Sequence, residues 1–535
     1  MNIDESAEFN LIYEKWIIVK TLDGLHEEVS LLDIFRNAQD YLTLENEIKP
    51  LNIAILRLLL AILHCALGGK DIEGNPFPDD EEDQIDGALE LWNELKERKC
   101  FPYERIESYL KEHEDRFWLF HPETPFYQIA CINNGTEYSA AKLNGEVLES
   151  SNKPRLFPQR AGKKKHGLSF SEAARWILYV IGFDDTSAKP SKRGQKMPSP
   201  GAGWLGQLGL ITAEGKNLFE TLMLNLVLLP ETGLWGDDKA IWEIAPRTKE
   251  RVQINIPNSQ AALLTLQSRR LKLIRDGDAV TGYLLLGGDF FTKENSLVEQ
   301  MTVWRNSKKE SAPPEYVPRR HNPSVQMWRD FAPLVGQGIG AHCPGVVHWL
   351  KKFELEDPVI RFQICGVKYG DKDFFVEDVF FDSLSFNVDL LYELDWIPRI
   401  IDELGVTEKL VREVGILAQN IAKAVGNENG YAARDEAKEQ AYFRLDRPFR
   451  KWLEGLDPSG DKMEEECEKW FTEAKIIIHA LGNEIANDCS PQALTGRNGI
   501  STPKALNWFF FNTKNRNTLN IAEINRKKGG AKSEN

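Results

Sequence analysis

The sequence predicts an α+β protein. A large mixed α/β N-terminal domain, residues 1–387, precedes a C-terminal antiparallel four-helix bundle, residues 388–515. Asp-Gly pairs between apolar runs, at Asp23 and Asp276, indicate β-hairpins in the first part. After about residue 388, helical periodicity takes over, with short Gly/Pro/Asn loops between the periodic segments. The polar residues 516–535 are predicted to form a disordered tail.

The first 130 residues combine a hairpin with several helices. Trp16–Val19 and Glu28–Leu31 read as strands joined through Asp23-Gly24, and Asp33 is predicted to cap a short helix. Helical periodicity continues at Pro50–Leu67, Asp83–Arg98 and Tyr103–His113. Proline suits the first turn of a helix and Gly68 suits its end, so Pro50–Leu67 has clear bounds.

The middle of the chain alternates between helix and strand signals. Helices are predicted at Ser171–Ile181 and Glu214–Leu229, and a hairpin at Leu271–Leu286. Prolines make Ala312–Pro323 a loop. Val359–Val367 and Phe374–Leu384 alternate like strands, so the polar residues 368–373 between them are predicted to form a tight protruding turn.

The helical bundle is predicted from apolar residues that recur on one face of each long helix. Thr407 is predicted to cap a helix that carries the stripe Leu410, Val414, Leu417, Ile421 and Val425. Further helices are predicted at Ala432–Leu456, Asp461–Ile485 and Pro503–Asn512.

Composition restricts the class of protein. Apolar residues make up 42% of the chain and charged residues 27%, as in a soluble globular protein. The seven cysteines form no CxxC pair and no secretory signal opens the chain, so we expect a cytoplasmic protein. Leu51–Leu67 is short for a membrane span and contains Arg57 and His64, which favours a buried helix and no membrane partner.

The charge is distributed unevenly. The net charge of −15 argues against nucleic-acid binding over the whole surface. Residues 152–196, however, carry eleven Lys or Arg against three Asp or Glu, interrupted by Pro and Gly. A local basic surface is the unit that phosphate contacts require, so this segment is predicted to face a polyanion.

No motif in the sequence supports an active site. GxSxG, kinase, Walker A and HExxH signatures are absent, and the nine histidines lack metal-ligand spacing. We therefore predict no enzyme activity, no catalytic residues, no metal and no cofactor. Two alternatives stay open: a cytoplasmic hydrolase or nucleotide-binding enzyme that uses His121 and Gly201–Gly206, and a helical scaffold without a nucleic-acid role.

Several strings, in consistent order over about residues 10–390, resemble one known family. They include LIYEKWIIV, LRLLLAILH, TPFYQ, GWLGQLGLITAEGKNLFETLMLNLVL, LTLQSRRLKLI and EQMTVWR. Together they resemble the CasA family, the large subunits of the type I-E CRISPR surveillance complex Cascade.

The resemblance implies a binding function. A CasA-like subunit recognises the protospacer-adjacent motif in double-stranded DNA, promotes strand separation and R-loop formation beside it, and helps to recruit a separate helicase–nuclease. Target DNA, the 5′ end of a guide RNA, other Cascade subunits and that helicase–nuclease are then the expected partners. Base pairing with the guide would read the rest of the target.

The resemblance also implies three contact regions. A loop facing the guide RNA and a neighbouring subunit corresponds to residues 152–170, with the candidates Phe157, Arg160, Lys163, Lys164 and Lys165. A loop that reads the DNA minor groove falls within residues 185–203, with the candidates Ser187, Ala188, Lys189, Lys192, Arg193 and Gly194. A β-hairpin wedge corresponds to Gly370, Asp371, Lys372 and Asp373, with Lys372 where the family commonly has glutamine. Lys293 is the nearest candidate for a further lysine contact to the motif.

Overall fold

The computed structural model describes residues 7–145, 160, 166–186, 201–231, 234–236, 239–254, 259–291, 298–307, 316–337, 342–392, 395–460 and 462–530. The chain forms two compact units. The N-terminal unit comprises the described residues up to Val325 together with Gly336–Phe353 and Arg361–Ser383. The C-terminal unit comprises Gln326–Val335, Glu354–Ile360 and the described residues from Leu384 onward.

The strands pair in small sheets. They are β1 (Glu8–Asn10), β2 (Ile17–Thr21), β3 (His26–Val29), β4 (Tyr41–Leu44), β5 (Trp118–Phe120), β6 (Thr136–Ser139), β7 (Leu210–Glu214), β8 (Gln253–Ile254), β9 (Arg269–Asp276), β10 (Ala279–Gly287), β11 (Phe290–Phe291), β12 (Trp304–Asn306), β13 (Tyr316–Pro318), β14 (Val359–Tyr369) and β15 (Val376–Asn387). Three sheets have three strands, in the orders β3-β2-β4, β6-β10-β9 and β15-β14-β7. The strand pairs are β1-β5, β8-β11 and β12-β13.

The helices lengthen towards the end of the chain. They are α1 (Leu31–Asn37), α2 (Lys49–Leu67), α3 (Glu81–Arg98), α4 (Tyr103–Glu112), α5 (Ala140–Leu143), α6 (Phe170–Phe183), α7 (Leu218–Asn225), α8 (Gln260–Leu264), α9 (Phe331–Leu334), α10 (Gly345–Leu350), α11 (Trp396–Ala424), α12 (Tyr431–Glu454), α13 (Met463–Asn487), α14 (Pro491–Thr495), α15 (Thr502–Asn512) and α16 (Arg516–Gly530). Mixed strands and helices followed by helices alone confirm the predicted α+β class.

Helix α2 forms the centre of the N-terminal unit. It is long and apolar enough to cross a membrane, yet 89% of its most apolar 18-residue window is buried inside the protein. Its one arginine, Arg57, is buried and donates to both carboxylate oxygens of Glu299 at 2.7 and 3.0 Å. The predicted buried helix is therefore confirmed, and its charge is neutralised inside the core.

In the C-terminal unit, α11 packs against α12, α13 and α15. Leu410, Val414 and Leu417 on α11 are fully buried, as their helical spacing predicts. Phe449 of α12 and Trp470 of α13 lie edge to face, with ring centroids 5.0 Å apart. The aromatic side chains thus fill the space between successive helices.

Three predicted element boundaries are wrong. The predicted helix from Glu214 to Leu229 is instead the end of β7 followed by α7, because the side chain of Asn217 caps a helix that begins at Leu218. Thr407 lies inside α11 rather than at its start: its hydroxyl donates to the Glu403 carbonyl and accepts from Trp470 Nε1. Ser30 caps α1, and Asp33 completes its capping box as the third helical residue.

The chain after Asn515 also differs from the predicted disordered tail. Helix α16 begins at Arg516, and Leu519 and Ala522 are buried. Arg516 donates to both carboxylate oxygens of Glu403 at 2.7 and 2.8 Å. Two buried apolar residues three positions apart and ion pairs from Arg516 and Glu523 connect this polar segment to the rest of the unit, which composition alone does not reveal.

Candidate nucleic-acid interface

The predicted wedge is a short turn between β14 and β15. Asp371–Asp373 form a single 3-10 turn, in which Lys372 has φ 52° and Asp373 has φ 60°. Both values lie in the left-handed region that residues with a side chain rarely adopt. The Lys372 side chain is exposed. The turn predicted at residues 368–373 is therefore present and presents a lysine to solvent.

Thr186 holds this turn through two hydrogen bonds. Its backbone N–H donates to the Asp373 carbonyl, and its hydroxyl donates to the Lys372 carbonyl, both at 2.8 Å. Thr186 lies at the start of the predicted DNA-reading loop, residues 185–203, of which segment 187–200 lies outside the described residues. The structure thus brings the hairpin tip to the start of a segment that is almost 200 residues away in sequence.

Arg320 holds the turn from another direction. Its two terminal nitrogens donate to the two carboxylate oxygens of Asp373, each at 2.9 Å. The guanidinium also lies 4.9 Å from the centre of the Tyr369 ring. Tyr369 in turn donates its hydroxyl to the Phe183 carbonyl at 2.6 Å. Arg320 is an exposed residue of the predicted loop 312–323, and its ion pair with Asp373 gives it a role at the tip that the sequence did not reveal.

Arg269 binds described residues on both sides of segment 187–200. Its Nε donates to the Asp184 carboxylate at 2.5 Å, and its Nη2 donates to the carbonyls of Asp185 and Gly201, each at 2.7 Å. Asp185 also accepts from Lys142 Nζ at 2.9 Å. Arg269 is almost completely buried, so these charges are held in a low-dielectric environment. The described residues on both sides of segment 187–200 are therefore fixed relative to the β9–β10 hairpin.

The basic residues of β9 have structural partners. Arg269 and Arg270 are buried, and Arg270 forms an ion pair with Asp289. Lys272 donates to the Ala130 carbonyl at 2.9 Å, and Arg275 pairs with Glu8. Leu271 and Leu273 are also buried. Because alternate side chains of a strand point to the same face, Arg269 shares the buried face of these two leucines. The alternating sequence pattern is therefore a signal from which the burial of Arg269 could have been predicted.

Most predicted contact residues lie outside the described ranges. These are Phe157, Lys163, Lys164, Lys165, Ser187, Ala188, Lys189, Lys192, Arg193, Gly194 and Lys293. Their assignment to guide RNA or DNA stays a prediction.

Arg160, the described member of the predicted guide loop, forms an ion pair with Glu172. Glu172 also accepts from the backbone N–H of Ser169 and completes the capping box of α6. Burial raises the pKa of Glu172, but the hydrogen bonds from Arg160 and Ser169 outweigh it, so the pKa lies below its usual value. Arg160 therefore stabilises the start of α6, and its predicted contact with RNA remains untested.

Arg175, from the same basic stretch, is a core residue. It donates to Glu47 and Glu28 at 2.7 and 2.9 Å and to the Trp16 carbonyl at 2.6 Å. Its charge is neutralised by carboxylates outside the stretch. The local positive surface is therefore smaller than the count of Lys and Arg predicts.

The residues of the enzyme alternative have packing roles. His121 Nδ1 accepts from the backbone N–H of Thr124 at 2.9 Å, which organises a turn. A side chain at Gly203 would collide with the Gly182 carbonyl, and one at Gly206 would collide with the Tyr369 hydroxyl. These glycines permit close packing of the chain rather than access to a phosphate.

One group in the N-terminal unit has the residue types of a nucleophilic site. Cys65 Sγ lies 3.4 Å from Glu243 Oε2, and His113 Nε2 lies 3.8 Å from the other oxygen of Glu243. Burial and the nearby Glu243 carboxylate raise the pKa of Cys65 to about 12. A raised pKa disfavours the thiolate, which is the nucleophilic form of cysteine. Among the described residues, no group of three or more His, Cys, Asp or Glu could hold a metal ion.

Comparison with known proteins supports one family. Residues 10–480 match the model of the CRISPR-associated protein Cse1 family. A CRISPR-associated protein CasA/Cse1 from Thermus thermophilus is 29% identical over 435 residues, which cover 79% of each chain.

Solved structures agree with this match. The crystal structure of Thermobifida fusca Cse1 has a TM-score of 0.80 and 30% identity, covering 97% of this chain and 99% of that one. A chain from a CRISPR RNA-guided surveillance complex has the same fold, with a TM-score of 0.72, 15% identity and coverage of 95% and 100%. The protein described here belongs to the CRISPR-associated CasA/Cse1 family.

Proposed function

We propose that the protein is the large, non-catalytic subunit of an RNA-guided CRISPR surveillance complex. In this function it recognises the protospacer-adjacent motif in double-stranded DNA and promotes strand separation beside it. It also contacts the 5′ end of the guide RNA and other subunits, and helps to recruit a separate helicase–nuclease in the cytoplasm. Membership of the CasA/Cse1 family and the shared fold with a surveillance-complex chain support the proposal.

One observation carries the DNA-binding part of the proposal. Thr186 binds the tip at Lys372 and Asp373, so the end of the described chain before residue 187 meets the predicted wedge. A minor-groove reader needs small residues and cations close to a rigid element that can enter the base stack. Lys372 supplies an exposed cation at the tip of the β14–β15 hairpin.

Replacement of the tip lysine tests the proposal. We expect Lys372→Ala, in a complex reconstituted with guide RNA and partner subunits, to weaken binding of duplexes that carry the motif by about tenfold. This corresponds to the loss of one good contact at ~1–3 kcal/mol. The measurement is a gel-shift titration with motif-bearing duplexes and duplexes with a scrambled motif.

Lys368→Ala is the matched control. Lys368 lies on β14 of the same hairpin, is similarly exposed, and pairs with Glu377 at 2.7 Å. Its removal changes the charge equally but leaves the tip intact, so we expect an effect below about twofold. Equal affinities of the Lys372 variant and the unmodified complex would contradict the proposed wedge.

A further inference from the structure

We propose that Arg320 and Thr186 are positioning residues for Lys372, and that together they hold the hairpin tip in the conformation that enters the duplex. This inference rests on the proposed function. It concerns residues on three separate stretches of the chain, Thr186 after α6, Arg320 after β13 and the tip after β14.

The backbone of the tip shows why it needs external support. Lys372 and Asp373 are consecutive residues with positive φ, at 52° and 60°. Aspartate tolerates this region, but a lysine there persists only when its surroundings fix the backbone. Thr186 binds the carbonyls of both residues, so it fixes the peptide units on the C-terminal side of each strained position.

Arg320 fixes the tip through its side chain. The two parallel hydrogen bonds to Asp373 define both a distance and an angle, which a single bond does not. The ring of Tyr369 supports the guanidinium from one face, and Tyr369 is itself tied to the Phe183 carbonyl. Arg320 thereby connects the tip to the end of α6, three residues before Thr186.

The ion pair also has an electrostatic effect that can be separated from positioning. Asp371 and Asp373 flank Lys372, and an unpaired aspartate would repel DNA phosphates. Arg320 neutralises Asp373. Replacement of Asp373 by asparagine removes the negative charge and the ion pair together, and leaves the positive charge of Arg320 uncompensated. Electrostatics alone predicts faster duplex opening for this variant, whereas positioning predicts slower opening.

Duplex opening is measured in the reconstituted complex with 2-aminopurine at the first base pair beside the motif. We expect Arg320→Gln, Thr186→Val and Asp373→Asn each to slow the fluorescence rise by about three- to tenfold. Affinity for a duplex with a preformed bubble at this position should stay within about twofold, because the tip no longer has to separate bases there. A misfolded variant would lose both activities.

Arg361→Gln is the matched control for charge. Arg361 lies on β14 at the far end from the tip and pairs with Glu214 at 3.2 Å. The positioning role is wrong if Arg320→Gln and Thr186→Val open the duplex as fast as Arg361→Gln. If Lys372→Ala is slow in the same experiment, the proposed function nevertheless stands. Faster opening by Asp373→Asn would also overturn positioning. If Lys372→Ala opens the duplex at the unmodified rate, the proposed function of the tip fails.

Discussion

The role of each arginine depends on how deeply its side chain is buried. Arg57, Arg175 and Arg269 are each buried and each donate to at least one carboxylate. Removing one partner of such a pair leaves an uncompensated charge and costs about 3–5 kcal/mol. Arg320, by contrast, is partly exposed and pairs with an aspartate on the hairpin tip. Arginines that look alike in the sequence therefore form buried ion pairs in the core in one case and stabilise a surface turn in the other.

Gly206 provides a test of the packing beneath the tip. A Cβ at this position would lie well inside van der Waals contact with the Tyr369 hydroxyl, which is fixed by its bond to the Phe183 carbonyl. We expect Gly206→Ala to lower the free energy of unfolding of the N-terminal unit by about 1–3 kcal/mol. Urea denaturation followed by tryptophan fluorescence measures this change.

Gly405→Ala is the opposite case and serves as a control. Gly405 lies inside helix α11, and a Cβ there would contact nothing within 4 Å. Alanine should raise helix stability by about 0.5–1 kcal/mol. If both variants had the same effect, close packing against Tyr369 would not explain the glycine at position 206.

Helix α16 is ordered by long-range contacts that the local sequence pattern does not reveal. The segment is polar and ends in a basic run, so composition predicts disorder. Its order comes from contacts with residues more than 100 positions earlier, such as Arg516 with Glu403 and Glu523 with Lys409. Long-range partners of this kind leave no periodic signal in the sequence.

Two variants of α16 test whether this helix is docked in solution. Leu519 is 2% exposed, whereas Ile521 on the same helix is 56% exposed. We expect Leu519→Ala to lower the unfolding free energy of the C-terminal unit by about 2–3 kcal/mol and Ile521→Ala to change it by less than ~0.5 kcal/mol. Thermal unfolding followed by circular dichroism provides the comparison. Similar midpoints for both variants would mean that the segment is not packed.

Elements with a strong local signal were predicted from the sequence, and contacts between them were not. The apolar run before Gly68 predicted α2 to within one residue, and the alternation from Val359 to Val367 predicted β14 to within two residues of its end. The turn at Lys372 followed from the polar residues between two strands. Its docking onto Thr186 could not be predicted, because a hydrogen bond between residues 186 positions apart depends on the complete fold.

The whole molecule combines a net charge of −15 with one basic stretch. Diffuse negative charge repels DNA at long range, so binding must rest on a limited number of local contacts. Within the described residues, Arg160 and Arg175 already pair with Glu172, Glu47 and Glu28. In the sequence, Lys163, Lys164 and Lys165 are the densest group of cations in the stretch, and the nucleic acid that they contact would define its role.

Salt dependence distinguishes guide RNA from target DNA as the partner of these three lysines. Each phosphate neutralised on single-stranded nucleic acid contributes about 0.7 to the slope of log affinity against log salt, and each on duplex DNA about 0.9. If the lysines bind the guide, their replacement by glutamine should reduce the slope for association of this subunit with the guide-loaded complex by up to ~2.1. The slope for target DNA binding by the assembled complex should not change, since the guide is already bound. A loss confined to the DNA-binding slope would instead assign the lysines to the duplex, and the predicted guide loop would be wrong.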